Sequence, residues 1–300
     1  MVTANARDVI DAWQSRGRQV ECLNRSLFVV EAGDPSAPAL LLIHGFPTSG
    51  WDWHRILDAL SAHFYVLVPD MLGFGLSDKP QGHRYTMAEQ ADLLEALLAQ
   101  RGIDRFHLLA HDYGDTVAQE LLARDCERHD DARCLSVALL NGGLFPEATR
   151  PRLVQKLLLS PLGGLVVRFL QRSTLERNMH AIYGPETPPS SMEIDVFWAL
   201  IERNGGRTVF HRLIRYMAER DRFRERWLSG LRNTRAPILL INGGADPISG
   251  AHLVARYREL ISDQGIVELP DIGHYPQLEA ADEVTAHYLA FVSSLGVVNT

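Results

Sequence analysis

An aspartate between an apolar run and a helix-like segment is the residue best placed to do chemistry. Residues 108–122 read LLAHDYGDTVAQELL, so a strand-like run ends at Ala110 and helical spacing begins after Gly114. A tight strand–turn–helix connection needs small residues two positions before and two positions after its apex, and it lifts the apical side chain above the sheet edge. The apex here is Asp112, which predicts a carboxylate nucleophile. The alternative is that Asp112 only caps the following helix.

Two further residues follow later apolar runs in an order that suits nucleophilic catalysis. Asp246 comes after the run at 238–241, and His274 comes after the run at 266–269. An acid that orients a histidine, and a histidine that takes a proton from water, would complete a triad with Asp112. Taken singly, Asp246 could form a turn or cap a helix, and His274 could be structural. The order of the three residues favours the triad.

Other motifs narrow the chemistry. The turn HGFP at 44–47 ends another apolar run and could point backbone N–H groups at an oxyanion. The chain contains no Gly-x-Ser-x-Gly, which disfavours a serine hydrolase. The glycine-rich segment DMLGFGLS at 70–77 lacks both the GxGxxG spacing and the lysine of a phosphate-binding loop, so it is interpreted as a shaped loop.

The elements that must position these residues alternate along the chain. Two short segments predict a β-hairpin, and the spacing of apolar residues at 88–99 and 117–123 predicts helices. Continuous apolar runs bounded by turn residues are typical of strands that are buried on both faces. The sequence therefore predicts an α/β fold, a mostly parallel sheet with helices on both faces. The hairpin strands are at 19–24 and 27–31, and the later strands are at 39–43, 64–68, 106–110, 135–140, 238–241 and 266–269.

The alternation is interrupted by a helical insertion. Residues 147–228 carry 14 basic and 9 acidic side chains, whereas the whole chain of 300 residues has a formal charge of −7. This shift in composition predicts a helical lid at 147–228 over an acidic core formed by 1–146 and 229–300. The charged run ERDRFRERW at 219–227 is interpreted as a solvated helix face.

Composition excludes several classes of function. The net charge of −7 does not favour binding to nucleic acid. No apolar run approaches the ~20 residues that span a bilayer, so no integral membrane segment is expected. Without a secretory signal, and with only three cysteines, the chain is expected to be cytoplasmic. No metal and no cofactor is expected. The expected partner is a small apolar or amphipathic substrate, and a homo-oligomer is left open.

With these residues in view, the chain resembles the α/β-hydrolase superfamily over nearly its whole length. Within it, the chain resembles the branch with an aspartate nucleophile, that of epoxide hydrolases and haloalkane dehalogenases, and more narrowly the subgroup of the mesoderm-specific transcript protein and its bacterial relatives. The matching strings are HGFP (44–47), PDMLGFGLSDKP (69–80), HDYGDTVAQELL (111–122), NGGLFPE (141–147), QKLL (155–158), GADP (244–247) and GHYPQLE (273–279).

The resemblance most strongly implies the activity of an epoxide hydrolase. It also implies a role for each of the candidate site residues. The backbone N–H groups of Phe46 and Tyr113 would form the oxyanion hole, and lid tyrosines would protonate the departing alkoxide. Tyr216 stands where the family places one such tyrosine, and Tyr183 is a looser candidate for the second.

Departures from the family pattern bear on the alternatives. Dehalogenases hold the halide with side-chain N–H groups at two positions that are Phe46 and Tyr113 here, and neither side chain has an N–H group. A haloalkane dehalogenase is therefore the weaker alternative. A hydrolase scaffold retained as a non-catalytic binding protein is the second alternative.

Overall fold

A single eight-stranded sheet organises the chain, in a computed structural model that describes residues 4–128 and 132–298. The strands are β1 (Gly17–Cys22), β2 (Arg25–Ala32), β3 (Ala39–Ile43), β4 (Tyr65–Pro69), β5 (Phe106–His111), β6 (Cys134–Leu140), β7 (Ile238–Gly243) and β8 (Ile266–Leu269). Their order across the sheet is β1-β2-β4-β3-β5-β6-β7-β8. Strand β2 pairs antiparallel with β1 and β4, and all other neighbouring pairs are parallel.

The helices surround this sheet. They are α1 (Ala4–Ser15), α2 (Leu57–Ser61), α3 (Met87–Gln100), α4 (Tyr113–Glu127), α5 (Leu153–Leu159), α6 (Gly163–Phe169), α7 (Arg172–His180), α8 (Ser191–Glu202), α9 (Phe210–Leu213), α10 (Tyr216–Arg222), α11 (Arg224–Asn233), α12 (Ala251–Leu260), α13 (Pro276–Glu279) and α14 (Ala281–Ser294). Short 3₁₀ segments lie at Gly50–Trp53, Pro146–Ala148 and Arg203–Val209.

Side chains on the central strands alternate between two hydrophobic clusters, one on each face. On β3, Leu41 and Ile43 pack in a cluster with residues of α3, α4 and α12. Leu40 and Leu42 pack in the other cluster, with residues of α1, α2 and α14. Every residue of β3 is buried, which explains why the strand is a continuous apolar run rather than an alternating one.

The predicted fold class is confirmed, and each predicted strand lies within two residues of an observed one at both ends. The helix predicted at 117–123 is longer, because α4 begins at Tyr113, directly after the predicted nucleophile. Helix α1 has no counterpart among the elements predicted from sequence.

Between β6 and β7 the described chain is helical and contains no strand. The lid predicted at 147–228 falls in this stretch, but its end lies inside α11, which packs against α4 of the sheet layer. The division into a core at 1–146 and 229–300 and a lid at 147–228 stays a prediction. None of the described helices is long and apolar enough to cross a membrane.

Candidate active site

Asp112 forms the apex of a strained turn between β5 and α4. Its φ of 47° and ψ of −103° place a non-glycine residue in a sparsely populated region of backbone conformation. Gly114 permits the turn, since a Cβ at this position would lie 2.3 Å from the carbonyl oxygen of Ile43. The Asp112 side chain makes no capping hydrogen bond to α4, so helix capping does not explain the residue.

The turn after β3 lies against this apex. The backbone N–H of Phe46 donates a hydrogen bond of 3.1 Å to Asp112 Oδ2. A Cβ on Gly45 would lie 2.7 Å from His111 Nδ1 and 3.1 Å from Asp112 Cβ, so only glycine allows so close an approach. Tyr113 opens α4, and its N–H is one of the first-turn donors that have no acceptor within their own helix.

His274 and Asp246 form a buried pair at the ends of β8 and β7. Their side chains meet at 2.7 Å between His274 Nδ1 and Asp246 Oδ2. The carboxylate of Asp246 also accepts hydrogen bonds from the N–H of Ile248 at 2.8 Å, from the hydroxyl of Ser249 at 2.8 Å and from Asn141 Nδ2 at 3.1 Å. These donors hold the carboxylate in the orientation that the imidazole meets. His274 also lines the cavity that adjoins the site.

The electrostatics of the pair favour an ionised acid and a charged imidazole. Burial alone lowers the pKa of His274, but the neighbouring carboxylates of Asp246 and Asp112 outweigh it and raise that pKa to about 9. Burial raises the pKa of Asp246, but His274 and the hydrogen-bond donors lower it by a larger amount, so the pKa lies below its ordinary value. His111 differs: burial and the charge of His274 hold its pKa well below the ordinary value.

A buried arginine beside the apex was missed by the sequence reasoning. Arg220, on α10, is only 3% exposed. Its Nη2 lies 3.7 Å from Asp112 Oδ1 and donates to the backbone oxygen of Asp112 at 3.2 Å, while its Nε donates to Thr116 Oγ1 at 2.8 Å. The prediction that residues 219–227 form a solvated helix face is therefore wrong at Arg220, and it is also wrong at Trp227, which is buried and donates to Glu120. The reason at Arg220 is that the buried carboxylate of Asp112 lies within reach of its guanidinium.

Asp115 is a second buried carboxyl group beside the same arginine. Burial raises its pKa well above the ordinary value, the charge of Asp112 adds to this effect, and Arg220 opposes it. Asp112 and Asp115 thus lie in the field of one buried guanidinium, and the ion pair of Arg220 is with Asp112. Gly142 makes room for the group, because a Cβ there would lie 2.0 Å from Asp115 Oδ2.

The two lid tyrosines differ in their surroundings. The ring of Tyr216 lies 4.8 Å from that of Tyr113 and 6.2 Å from that of Phe46, measured between centroids. Burial and the charge of Asp112 raise the pKa of Tyr216, so its phenol keeps its proton. Tyr183 instead stacks on Tyr275 with centroids 5.3 Å apart, and its buried hydroxyl has no hydrogen-bond partner among the described residues.

An apolar cavity adjoins the site. It encloses about 90 Å³, and His274 and Phe46 form part of its wall. Most of the remaining wall comes from apolar side chains between β6 and β7, among them Leu158, Met179, Ile182, Trp198, Ile201 and Phe210. Neither Tyr216 nor Tyr183 belongs to the wall. Such a cavity suits a small ligand with a largely apolar surface.

No metal site is evident in the described chain, 4–128 and 132–298, where no three His, Cys, Asp or Glu side chains are grouped to hold an ion. The groups gathered at the site are the carboxyl groups of Asp112, Asp115 and Asp246, the imidazole of His274, the guanidinium of Arg220 and backbone N–H groups. These groups can supply a nucleophile, a base and an oxyanion site.

Known proteins share this arrangement of elements. A family model described as alpha/beta hydrolase fold matches residues 38–281. The mesoderm-specific transcript homolog protein of Bos taurus is 38% identical over 298 residues, which cover 95% of this chain and 88% of that protein. Epoxide hydrolase A of Mycobacterium tuberculosis is 29% identical over 320 residues, covering 93% and 97%. The crystal structure of a haloalkane dehalogenase loop variant from Bradyrhizobium elkanii matches with a TM-score of 0.78 at 21% identity, over 93% of this chain and 98% of that one, a likeness of fold.

Proposed function

Because this chain belongs to the α/β hydrolase fold family, we propose that it is a hydrolase with an aspartate nucleophile and that it converts an epoxide to a diol. The observation that carries the proposal is the placement of Asp112. Its carboxylate stands at the apex of a strained strand–helix turn and accepts a hydrogen bond from Phe46 N–H. The paired His274 and Asp246 supply the base that the second step requires.

In the first step, an oxygen of Asp112 attacks one carbon of the epoxide. A carbon–oxygen bond of the ring breaks and an alkyl-enzyme ester forms. A carboxylate suits this role because it needs no base to activate it. Tyr216 donates its proton to the departing alkoxide; its raised pKa keeps the phenol protonated until that step, and its ring lies beside that of Tyr113. Tyr183 is the proposed second donor; its hydroxyl is buried without a partner in the described chain.

In the second step, water attacks the carbonyl carbon of the ester. His274 takes the proton of the water, and Asp246 holds the imidazole through the 2.7 Å hydrogen bond. The N–H groups of Phe46 and Tyr113 bind the oxyanion, each contributing about 3 kcal/mol in comparable sites. Collapse of the intermediate releases the diol and restores Asp112, and the proton held by His274 returns to the Tyr216 phenolate through solvent.

Esterification itself prepares His274 for the second step. The charge of Asp112 is one of the contributions that raise the pKa of His274 to about 9. The ester is neutral, so this contribution disappears once the alkyl-enzyme has formed. The pKa of His274 then falls, and a larger fraction of the imidazole is neutral and able to accept a proton.

The cavity indicates the class of substrate. Its wall is mainly apolar, with His274 and Phe46 at the reacting end. We propose a small apolar or amphipathic epoxide. Haloalkane dehalogenation by the same three residues is the alternative. It is disfavoured because Phe46 and Tyr113 have no side-chain N–H group for the halide.

The test is to trap the covalent intermediate. His274→Gln leaves Asp112 intact but removes the base, so incubation with an epoxide is expected to add the mass of the epoxide to the protein, on the peptide that contains Asp112. Asp112→Asn combined with His274→Gln is the matched control and should gain no mass. Haloalkanes are tested in parallel, because they would give an adduct together with free halide.

Three outcomes are distinguishable. An adduct formed from epoxides supports the proposed reaction, and an adduct formed from haloalkanes alone supports dehalogenation. If neither reagent class adds to Asp112, covalent catalysis at this residue is refuted and a non-catalytic binding protein becomes the better explanation.

A further inference from the structure

Helices α5 and α6 present an unusual concentration of exposed apolar side chains. Eight large hydrophobic residues are exposed in the described chain, and five of them lie here: Leu153, Leu157, Leu162, Leu165 and Phe169. Leu153 and Phe169 are each 72% exposed. We call these five residues the α5–α6 surface. Exposed apolar side chains concentrated on two neighbouring helices are typical of an interaction site.

The other side of the same helices is buried. Leu158 and Val167 are almost fully buried, and α5 and α6 pack against each other. Val154 and Leu158 also line the apolar cavity beside His274. Helix α5 therefore has one face in the wall of the cavity and another in solvent, and α6 packs beside it.

The charge around this surface has one sign. Residues 148–175 contain five basic side chains and no acidic one, in a protein with a formal charge of −7. Arg150, Lys156 and Arg168 are exposed, and none of them makes a salt bridge to a carboxylate of the described residues. Exposed leucine and phenylalanine side chains flanked by free cations are complementary to the surface of a lipid bilayer, where apolar acyl chains lie beneath anionic headgroups.

Two occupants could cover such a surface, and its charge distinguishes them. In a symmetric dimer each copy presents the same patch to the other, so the cations Arg150, Lys156 and Arg168 of one copy would face the same set of cations of the other. Like charges brought together in this way oppose association. An anionic bilayer instead offers headgroups to the cations and acyl chains to the leucines. Because α5 and α6 have seven residues each, they are too short to span a bilayer and could only lie at its surface.

We propose that the α5–α6 surface docks on anionic lipid bilayers, with Leu153, Leu157, Leu162, Leu165 and Phe169 in the headgroup–acyl boundary. This interaction is separate from the hydrolysis proposed above and does not depend on it. It would bring the outer wall of the cavity to the membrane, where apolar compounds are concentrated.

The test is flotation of the full chain with lipid vesicles, which needs no substrate. Vesicles of phosphatidylcholine alone are compared with an equimolar mixture of phosphatidylcholine and phosphatidylglycerol. The wild-type protein is expected to float with the mixture and not with phosphatidylcholine alone. Phe169→Ser is expected to weaken binding about ten-fold through lost apolar burial. Arg168→Glu is expected to weaken it about thirty-fold, at ~1 kcal/mol for each unit of charge near the surface.

Matched controls separate this surface from general stickiness. Leu23→Ser replaces a leucine that is 61% exposed in the β1–β2 turn, and Arg7→Glu reverses an exposed charge on α1. Both should bind like the wild-type protein. All four positions are exposed, so the circular dichroism spectra should be unchanged.

The proposal is overturned if the wild-type protein does not float with the anionic vesicles. It is also overturned if Phe169→Ser and Arg168→Glu bind as well as the controls. Concentration-dependent dimerisation that Phe169→Ser abolishes, without vesicle binding, would assign the surface to a second copy of the chain instead.

Discussion

Replacing Arg220 with methionine would leave the Asp112 carboxylate buried without its nearest cation. The side chains of Arg220 and Asp112 are 4% and 6% exposed, and Nη2 lies 3.7 Å from Oδ1. Two unit charges at that separation attract each other by about 4 kcal/mol at an effective dielectric constant of ~20. The guanidinium also donates hydrogen bonds to Thr116 and to the backbone of Asp112, which methionine cannot replace.

The expected result is a loss of stability. Removing one partner from a buried ion pair costs about 3–5 kcal/mol, because the other charge stays buried and uncompensated. Arg220→Met should therefore lower the free energy of unfolding by about 4 kcal/mol. Adding Asp112→Asn should restore part of this loss, since it removes the unpaired charge. Methionine keeps most of the aliphatic volume, so a cavity contributes little.

The assay is equilibrium unfolding in urea, followed by circular dichroism, for the wild-type protein, the two single variants and the double variant. Arg222→Met is the control, because Arg222 is exposed on the same helix and makes no salt bridge with a described carboxylate. It should change the free energy of unfolding by about 0.5 kcal/mol or less. The reasoning is refuted if Arg220→Met costs no more than Arg222→Met, or if the double variant is no more stable than Arg220→Met.

Two further predictions concern the histidine and the turn. Because the pKa of His274 is raised to about 9, above its ordinary ~6.5, its stabilising contribution is complete below about pH 6.5 and is lost as pH rises through about 9. Urea unfolding should show up to about 3 kcal/mol less stability at high pH, and a wild-type slope retained in His274→Gln would contradict this. Gly114→Ala should destabilise the protein by about 2 kcal/mol, because its Cβ would meet Ile43 O at 2.3 Å. Gly164→Ala, with nothing nearer than 3.6 Å, should be neutral or stabilise α6 by about 0.5 kcal/mol; equal effects of the two variants on the thermal midpoint would refute the steric argument.

Convergence of the predicted triad was within reach of sequence reasoning for a geometric reason. Asp112, Asp246 and His274 each follow a different strand, namely β5, β7 and β8. These strands are parallel to their neighbours, so their carboxyl ends lie at one edge of the sheet. Three apolar runs and three residues after them therefore sufficed to predict that the residues lie at one edge of the sheet, where His274 and Asp246 are in contact, although the runs are far apart in the chain.

The residues that sequence reasoning missed depend on packing between elements. Arg220 stands in a run of alternating charges with no apolar period to mark which side chain turns inward. Only the way α10 lies against the start of α4 brings its guanidinium to Asp112 and Thr116. Tyr183 was named from the sequence, but its stacking on Tyr275 was not predicted, because that contact depends on how the chain after α7 meets the loop after β8.

The buried arginine also fits the charge balance of the proposed reaction. Before reaction, Arg220 offsets Asp112 and protonated His274 offsets Asp246, while burial raises the pKa of Asp115 and so opposes its ionisation. Formation of the ester removes the charge of Asp112 and leaves the guanidinium without a counterion. The next species along the reaction path is an oxyanion on the former Asp112 carboxyl, within the same surroundings. Arg220, which neutralises the nucleophile in the resting protein, thus stabilises the transition state when water attacks the ester. This role gives a reason to keep a charge at this position although burying it costs stability.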